Sequence, residues 1–335
     1  MTSPQHPMEF RHKCHFLYHG RADPKLAHQE EKCHYCQFGK FNSHKLHPIS
    51  IIFQDNTKLV IPKDFVFIEK SIPVEGVRFA EDEYLNGCEC ESDAQCMGSM
   101  CDPCLGDVDR VPKGGKPGAY HVSGDKKGCL RGWMLESRLP IYECHEKCTC
   151  SDKCPNRVVG RGRKVALQIF PTSGRGWGVK STEDIKRGQF VGEYVGEIIT
   201  PAEANRRRQA ATDRKKKDIY LFALDKFQDR ESYDQRLRGE PYEIDGEFKS
   251  GPTRFINHSC EPNLRIFAVV TAHANKPFHQ LCFFAAKDIP RETELTFDYT
   301  DGVTDARMDV EEAIAQDKEL TKCLCGTPSC RGYLW

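Results

Sequence analysis

The sequence predicts a mostly β protein with some α: a catalytic-size domain of short strands, held between two cysteine-rich modules. Three observations predict it. Short runs of β character recur through residues 155–300 with turn residues between them. Of the 18 cysteines, 16 lie on either side of those runs, most of them in dense blocks. One stretch alone carries the start signals of a long helix. A chain of 335 residues has room for one such domain plus flanking modules.

Composition excludes several classes. Lys+Arg and Asp+Glu both number 49, so the formal net charge is zero, which argues against a globally basic nucleic-acid coat. The longest unbroken apolar runs, Ile219–Leu224 and Leu281–Ala286, are six residues long, whereas a membrane span needs about 18. The opening MTSPQHPMEFRHKCHF has no apolar stretch of a secretory leader. The expected compartment is therefore reducing, and cysteines clustered there read as metal ligands, not disulfides.

Residues 1–87 read as an amino-terminal segment containing Cys14, Cys33 and Cys36. Cys33-x2-Cys36 lies near His34, His44 and His47; a further zinc and an ordered, metal-free segment both stay open. Residues 88–154 hold Cys88, Cys90, Cys96, Cys101 and Cys104, then Cys144, Cys148, Cys150 and Cys154. A zinc ion takes four ligands, and nine thiols do not divide by four. Six cysteines binding once and three bridging satisfy three zinc ions and use every thiol. Lys147, Lys153 and Arg157 can offset the surplus negative charge. Two four-cysteine ribbons with a spare thiol fit poorly, because those favour paired C-x2-C knuckles. With sulfur in every coordination position, the cluster's role is structural. Between the blocks, residues 106–128 are rich in Gly, Pro and charge and predict an exposed loop; Cys129 after it reads as an incidental thiol.

Residues 155–300 form the main domain. Strands are predicted around Val165–Phe170, Gly176–Lys180, Phe190–Ile199, Ile219–Leu224, Leu264–Val270, Leu281–Ala286 and Glu294–Tyr299. A helix is predicted over Pro201–Lys217, with Thr200 as cap, Pro201 in the first turn and Glu203 at the capping-box spacing. Its basic run from Arg206 to Lys217 reads as a solvated face, a DNA contact or a nuclear import signal. Residues 301–322 are an acidic linker. Residues 323–335 end the chain with Cys323-x-Cys325-x4-Cys330, three thiols for a four-ligand site. Cys260 is the expected fourth, because Cys282 sits among Leu281, Phe283 and Phe284 and reads as core.

Several long motifs now stand in order. Arg254-Phe255-Ile256-Asn257-His258-Ser259-Cys260-Glu261-Pro262-Asn263, Glu294-Leu295-Thr296-Phe297-Asp298-Tyr299 and Gly174-Arg175-Gly176-Trp177-Gly178 resemble the signatures of SET-domain protein lysine methyltransferases. The nine-cysteine block resembles their pre-SET module and the C-x-C-x4-C tail their post-SET module. In this order they resemble the suppressor-of-variegation class, and within it the short fungal heterochromatin enzymes without a chromodomain. The resemblance covers about residues 50–335. A dinucleotide-binding reading of Gly174–Gly178 is weak, since no apolar-periodic helix follows.

The resemblance implies a fold of small curved sheets with pseudoknot-like threading. It implies methyl transfer from S-adenosylmethionine to lysine 9 of the histone H3 tail, in the nucleus and on chromosomes. Tyr299 and Tyr194 would be the catalytic hydroxyls. Phe297, Phe222 and Trp335 would line the lysine channel and set product specificity. Arg175, Gly176, Trp177, Tyr220, Arg254, Asn257 and His258 would contact the cofactor, and Asp225 a basic residue beside the target lysine. Pro171 stands where some relatives carry a basic residue, which would remove one cofactor contact. A methyltransferase for another lysine, or a zinc-stapled histone-tail binder without turnover, is the alternative.

Overall fold

The structure, a computed structural model, describes residues 34–52, 61–62, 64–96, 118–211, 219–300 and 321–334. In chain order the strands are β1 (Ile49–Ile51), β2 (Val66–Phe67), β3 (Ile72–Pro73), β4 (Ile141–Tyr142), β5 (Leu167–Pro171), β6 (Trp177–Ser181), β7 (Phe190–Tyr194) and β8 (Glu197–Ile199). They continue with β9 (Leu221–Ala223), β10 (Glu243–Asp245), β11 (Lys249–Ser250), β12 (Asn257–His258), β13 (Leu264–Val270), β14 (Gln280–Ala285) and β15 (Glu294–Phe297). Among the described residues the α-helices are α1 (His34–Gly39), α2 (Asp93–Cys96), α3 (Gly132–Glu136) and α4 (Pro201–Ala210). No helix among the described residues is long and apolar enough to cross a membrane.

The strands form small sheets: β1-β5-β6-β15-β12, β3-β8-β10-β9, β4-β13-β14-β7, and the pair β2-β11. β14 is buried almost throughout because it has a core on each face. Leu281, Phe283 and Ala285 enter the main core; Cys282 and Phe284 enter a second one with Tyr120, Phe190 and Phe267. This is the period-2 alternation of a strand covered on both sides. Gly192 of β7 lies opposite Phe283, where the register slips by one residue. A Cβ at Gly192 would stand 2.9 Å from the Thr253 methyl, so this crossing needs a residue without a side chain.

The amino-terminal stretch is part of the main core, to which Phe38, Phe41, Ile49, Ile51, Phe65 and Phe67 contribute. β1 pairs in parallel with β5, far along the chain. Two sequence expectations change here. The predicted exposed loop is interrupted: Ala119 and Tyr120 are buried, and the Tyr120 hydroxyl donates to Glu143 at 2.5 Å, while residues 123–127 are exposed. The buried Glu143 carboxylate also accepts the amides of Val158, Val159 and Gly160, tying the cysteine-rich module to the start of the β domain. The predicted helix Pro201–Lys217 also stops early, at Ala210, and Ala211 is extended. Thr200 caps it, accepting from the Glu203 amide at 3.2 Å. Only Ala204 is buried, so no apolar stripe carries the helix further. Arg214–Lys217 lie outside the described residues.

Arg207 and Arg208 do not face solvent as a basic surface. Arg207 bridges Glu197, Glu203 and Asp245, and Arg208 pairs with Glu243. They clamp α4 onto β8 and β10.

The threading that builds the site lies between β12 and β15. These run parallel, with Asn257 opposite Thr296 and His258 opposite Phe297. The Ser259 amide donates to Phe297 O and the Asn263 amide to Thr296 O, while the Asn263 side chain bonds the amide of Thr296 and the carbonyl of Glu294. Between these segments the chain makes the β13–β14 hairpin. The two long motifs thus become neighbouring strands.

Candidate active site

Two cavities meet at one aromatic wall. The larger, about 800 Å³, is lined by Arg175, Gly176, Trp177, Tyr220, Arg254, Asn257 and His258, together with Tyr194, Phe222, Phe297 and Tyr299. Tail residues Thr321–Cys325 and Leu334 close one side of it. The smaller, about 350 Å³, is a groove lined by Asp225, Lys226, Arg138, Arg265, His279 and Asp298. Ile219, Phe222, Phe297 and Tyr299 border both. Phe222 lies 4.4 Å from the Tyr194 ring and 6.0 Å from Phe297, which lies 4.7 Å from Tyr299.

Local bonding fixes each part. The turn from β5 to β6 passes through Gly174 and Gly176 at φ +86° and +73°, a left-handed conformation that favours glycine. Thr172 closes this turn on the Gly176 carbonyl. Arg175 pairs with Glu294 at 2.5 Å, and Asn257 donates to Glu294 at 2.9 Å and to Trp177 O at 3.1 Å. Arg254 donates to the carbonyls of Gly246 and Glu247 and lies 4.2 Å over the Tyr220 ring.

Both tyrosine hydroxyls donate to backbone carbonyls: Tyr299 to Ile256 at 2.9 Å and Tyr194 to Tyr220 at 3.0 Å. With the proton so committed, each oxygen can only accept from a group in the channel. Burial pushes both phenols well above their ordinary range, so they stay protonated near neutral pH. His258 Nδ1 accepts the Tyr299 amide at 3.1 Å. That bond assigns the ring proton to Nε2, which faces the Cys260 sulfur at 3.4 Å. Burial pulls the imidazole down to about 4, so it is a neutral strut.

The cysteines gather in two places. Cys260, Cys323, Cys325 and Cys330 place their sulfurs within 4.8 Å of one another, as do Cys88, Cys96, Cys144 and Cys150. A tetrahedral zinc ion about 2.3 Å from each sulfur sets sulfurs about 3.8 Å apart; Cys260 and Cys323 are 3.9 Å apart, as are Cys88 and Cys96. The donor chemistry fits zinc in both groups; in the first, the Cys96 and Cys144 sulfurs stand 3.0 Å apart, closer than a tetrahedral ion sets them. Cys90, Cys148 and Cys154 are buried around the first group. Arg157 donates to the Cys150 sulfur, whereas Lys147 pairs with Asp82 instead. Cys101, Cys104, Cys14, Cys33 and Trp335 lie outside the described residues. Cys282 is fully buried in the second core. The amino-terminal histidines have other work: His34 bonds Phe65 O and His44 accepts the Ile49 amide. Among the described residues they form no metal-sized group with Cys36.

The large cavity suits S-adenosylmethionine in size and chemistry, with aromatic faces for a purine and polar edges for the amino-acid end. Glu294, Asp298 and Arg331 were given no role by the sequence reading, although two of them lie inside a quoted motif and Arg331 directly follows Cys330. Their roles are spatial: each holds a residue that borders a cavity.

A SET domain model matches residues 176–300 and a Pre-SET motif model residues 41–157. A Neurospora crassa protein, histone-lysine N-methyltransferase, H3 lysine-9 specific dim-5, is 51% identical over 98% of this chain and 100% of its own. A solved structure of that Neurospora SET domain protein superposes with a TM-score of 0.71, at 52% identity, covering 83% of this chain and 100% of that one. The H3 lysine-9 specific KMT1 of Fusarium mangiferae is 46% identical over 96% of this chain and 97% of its own. Arabidopsis thaliana SUVH6, solved in complex with SAM, matches at 28% identity and TM-score 0.60 over 86% of this chain and 53% of that one. Fold and site define a SET-domain methyltransferase. The chain belongs to the histone-lysine N-methyltransferases of the SET-domain family, in the fungal branch of the suppressor-of-variegation type.

Proposed function

We propose that this enzyme methylates lysine 9 of the histone H3 tail to the trimethyl state, using S-adenosylmethionine, and acts on nucleosomes in the nucleus. The observation that carries the reading is the pair of cavities meeting at Tyr299, Phe222 and Phe297. Methyl transfer to an amine is an in-line displacement, so donor and acceptor must approach from opposite sides of one narrow passage.

When bound in the large cavity, S-adenosylmethionine supplies an electrophilic methyl group. Arg175, Gly176, Trp177, Tyr220, Arg254, Asn257 and His258 hold it there. The groove takes the peptide, and Asp225 pairs with the arginine that precedes lysine 9. Phe222, Phe297 and Tyr194 exclude water from the channel and favour the neutral amine. The Tyr299 and Tyr194 oxygens accept from the reacting groups and aim them. By the resemblance, Trp335 would cover the channel. Three zinc ions sit in the nine-cysteine module and one in the Cys260, Cys323, Cys325, Cys330 site. Arg207 and Arg208 pair inward and Arg206 pairs with Glu203, so a DNA contact falls to the basic run Arg214–Lys217 of the sequence. A radiolabelled methyl-transfer assay on histone tail peptides tests the reading: incorporation falls to background when lysine 9 of H3 is alanine. Undiminished labelling of that peptide, or a preference for another tail, contradicts it.

The rate depends on pH in one direction. A free lysine amine has a pKa of about 10.4, so its neutral fraction grows about tenfold per pH unit below that value. The buried tyrosines, held above their usual range, stay protonated throughout. Single-turnover rates are therefore expected to climb from about pH 7 to about pH 9. A flat profile with chemistry rate-limiting would show an internal base instead.

Product number is set at Phe297. Its ring is 3% exposed and packs against Phe283 and Tyr299 at 4.8 and 4.7 Å. A phenylalanine leaves room for the amine to turn after each transfer; a tyrosine hydroxyl would bond the amine and fill that room. Phe297→Tyr is expected to stop mainly at mono- or dimethyl-lysine while keeping the first transfer. Mass spectrometry with excess cofactor decides it, and undiminished trimethylation by the variant would rule out this switch.

A further inference from the structure

We propose that Arg331 is a positioning residue for methyl transfer, acting through Asp298 to hold Tyr299 in register with the tail. This rests on the function proposed above and adds a residue to it.

Arg331 directly follows Cys330, and its amide donates to the Cys260 sulfur at 3.4 Å, so its backbone belongs to the tail site. Its side chain leaves that site, passes His258 Nε2 at 3.4 Å and forks onto the turn after β15 that carries the catalytic tyrosine. Nη1 donates to Asp298 Oδ2 at 3.0 Å and Nη2 to Oδ1 at 2.6 Å. Nη1 also donates to Thr300 Oγ1 at 3.0 Å. The two side chains are 18% and 15% exposed, so the pair is largely shielded from water and salt. Asp298 is the residue between Phe297 and Tyr299, and its carboxylate also accepts the amide and hydroxyl of Thr300. The segment that carries the channel residues is thus fixed by a planar two-point contact. A lysine offers a single point charge and cannot reproduce that geometry.

Asp298 also borders the groove assigned to the basic peptide. Arg331 therefore has a second effect, since it neutralises a carboxylate that would otherwise attract a cationic tail. Positioning and substrate affinity then respond in opposite directions when Arg331 is removed. A merely structural residue would weaken both.

The test is a kinetic cycle on the full chain, with Arg331→Ala, Arg331→Lys, Asp298→Asn and the double variant Arg331→Ala/Asp298→Asn. Displacing reacting groups by about 1 Å costs about a hundredfold in rate. The expected result is that kcat falls by about that factor in Arg331→Ala, with full zinc content and a peptide KM that is unchanged or lower. Arg331→Lys fails to restore kcat, and added methylguanidinium partly rescues Arg331→Ala. The double variant is no slower than the worse single one. Asp298→Asn removes the charge and one acceptor from the tie without touching the tail, so it reads the same link if Arg331→Ala loses its tail zinc. The proposal is overturned if Asp298→Asn keeps its kcat, if the two losses multiply, or if Arg331→Ala raises KM at constant kcat. A wild type that does not methylate the H3 peptide refutes the proposed function. The coupling of the two residues is then still read from thermal midpoints of the same four proteins, and additive shifts there overturn the link itself.

Discussion

Methyl transfer by a Tyr299→Phe variant is expected to be slower by about 10²–10³-fold, the usual cost of deleting one oriented polar group at a reacting centre. The ring of residue 299 borders both cavities, so it stands where donor and acceptor meet. Its hydroxyl donates to Ile256 O, which fixes the direction of the oxygen, and its amide is held by His258. Phenylalanine keeps the aromatic wall, the packing against Phe297 and the amide bond to His258. What it removes is one acceptor at the reacting atoms and one donor to Ile256 O. Cofactor affinity, zinc content and thermal midpoint should therefore stay close to wild type while the single-turnover rate collapses. A variant that keeps its rate to within about tenfold would remove Tyr299 from the chemistry.

How much of this the sequence discloses depends on whether a residue's role is local. β13 and β14 are legible because unbroken apolar runs mark strands covered on both faces. β1, β2 and β11 are not, since each is two or three residues long and owes its existence to a partner far along the chain. β10 reads as polar because two of its three residues are the acids that receive Arg207 and Arg208. The end of α4 was missed for a related reason. Its helical stability comes from the Thr200 cap and the ion pairs of its first turns, and no composition rule says where such support stops. At the site, the motif residues are legible as types at fixed spacings. Glu294, Asp298 and Arg331 act by holding Asn257 and Arg175 and the turn that carries Tyr299, so their importance exists only once β12, β15 and the tail are side by side.

The tail shows that dependence most sharply, and Cys323→Ser is expected to reduce activity to background while the zinc of the nine-cysteine module remains. Fixing the backbone of residues 321–334 costs on the order of 1–2 kcal/mol per residue. Against that cost the described part of the tail buries only Cys323. Its own backbone contacts are few: the Lys322–Tyr333 bridge, the Cys323 amide on Gly332 O and the Leu334 amide on Thr321 O. Outward it is held by Arg331 on Asp298 and by Ser329 on Glu261. A structural zinc supplies on the order of 10–16 kcal/mol to a small module, enough to offset most of the ordering cost that those bonds leave uncovered. Serine is a poor substitute for a zinc-bound thiolate, and with three ligands the tail loses its anchor. Thr321–Cys325 and Leu334 then leave the wall of the large cavity, and His258 loses the fixed sulfur that its Nε2 faces. Elemental analysis should show one zinc ion fewer per chain, and the thermal unfolding of the β domain should change little because its two cores lie elsewhere. Retained activity would show that the tail holds its place without the metal. Loss of all zinc together would show that the two cysteine groups are not independent.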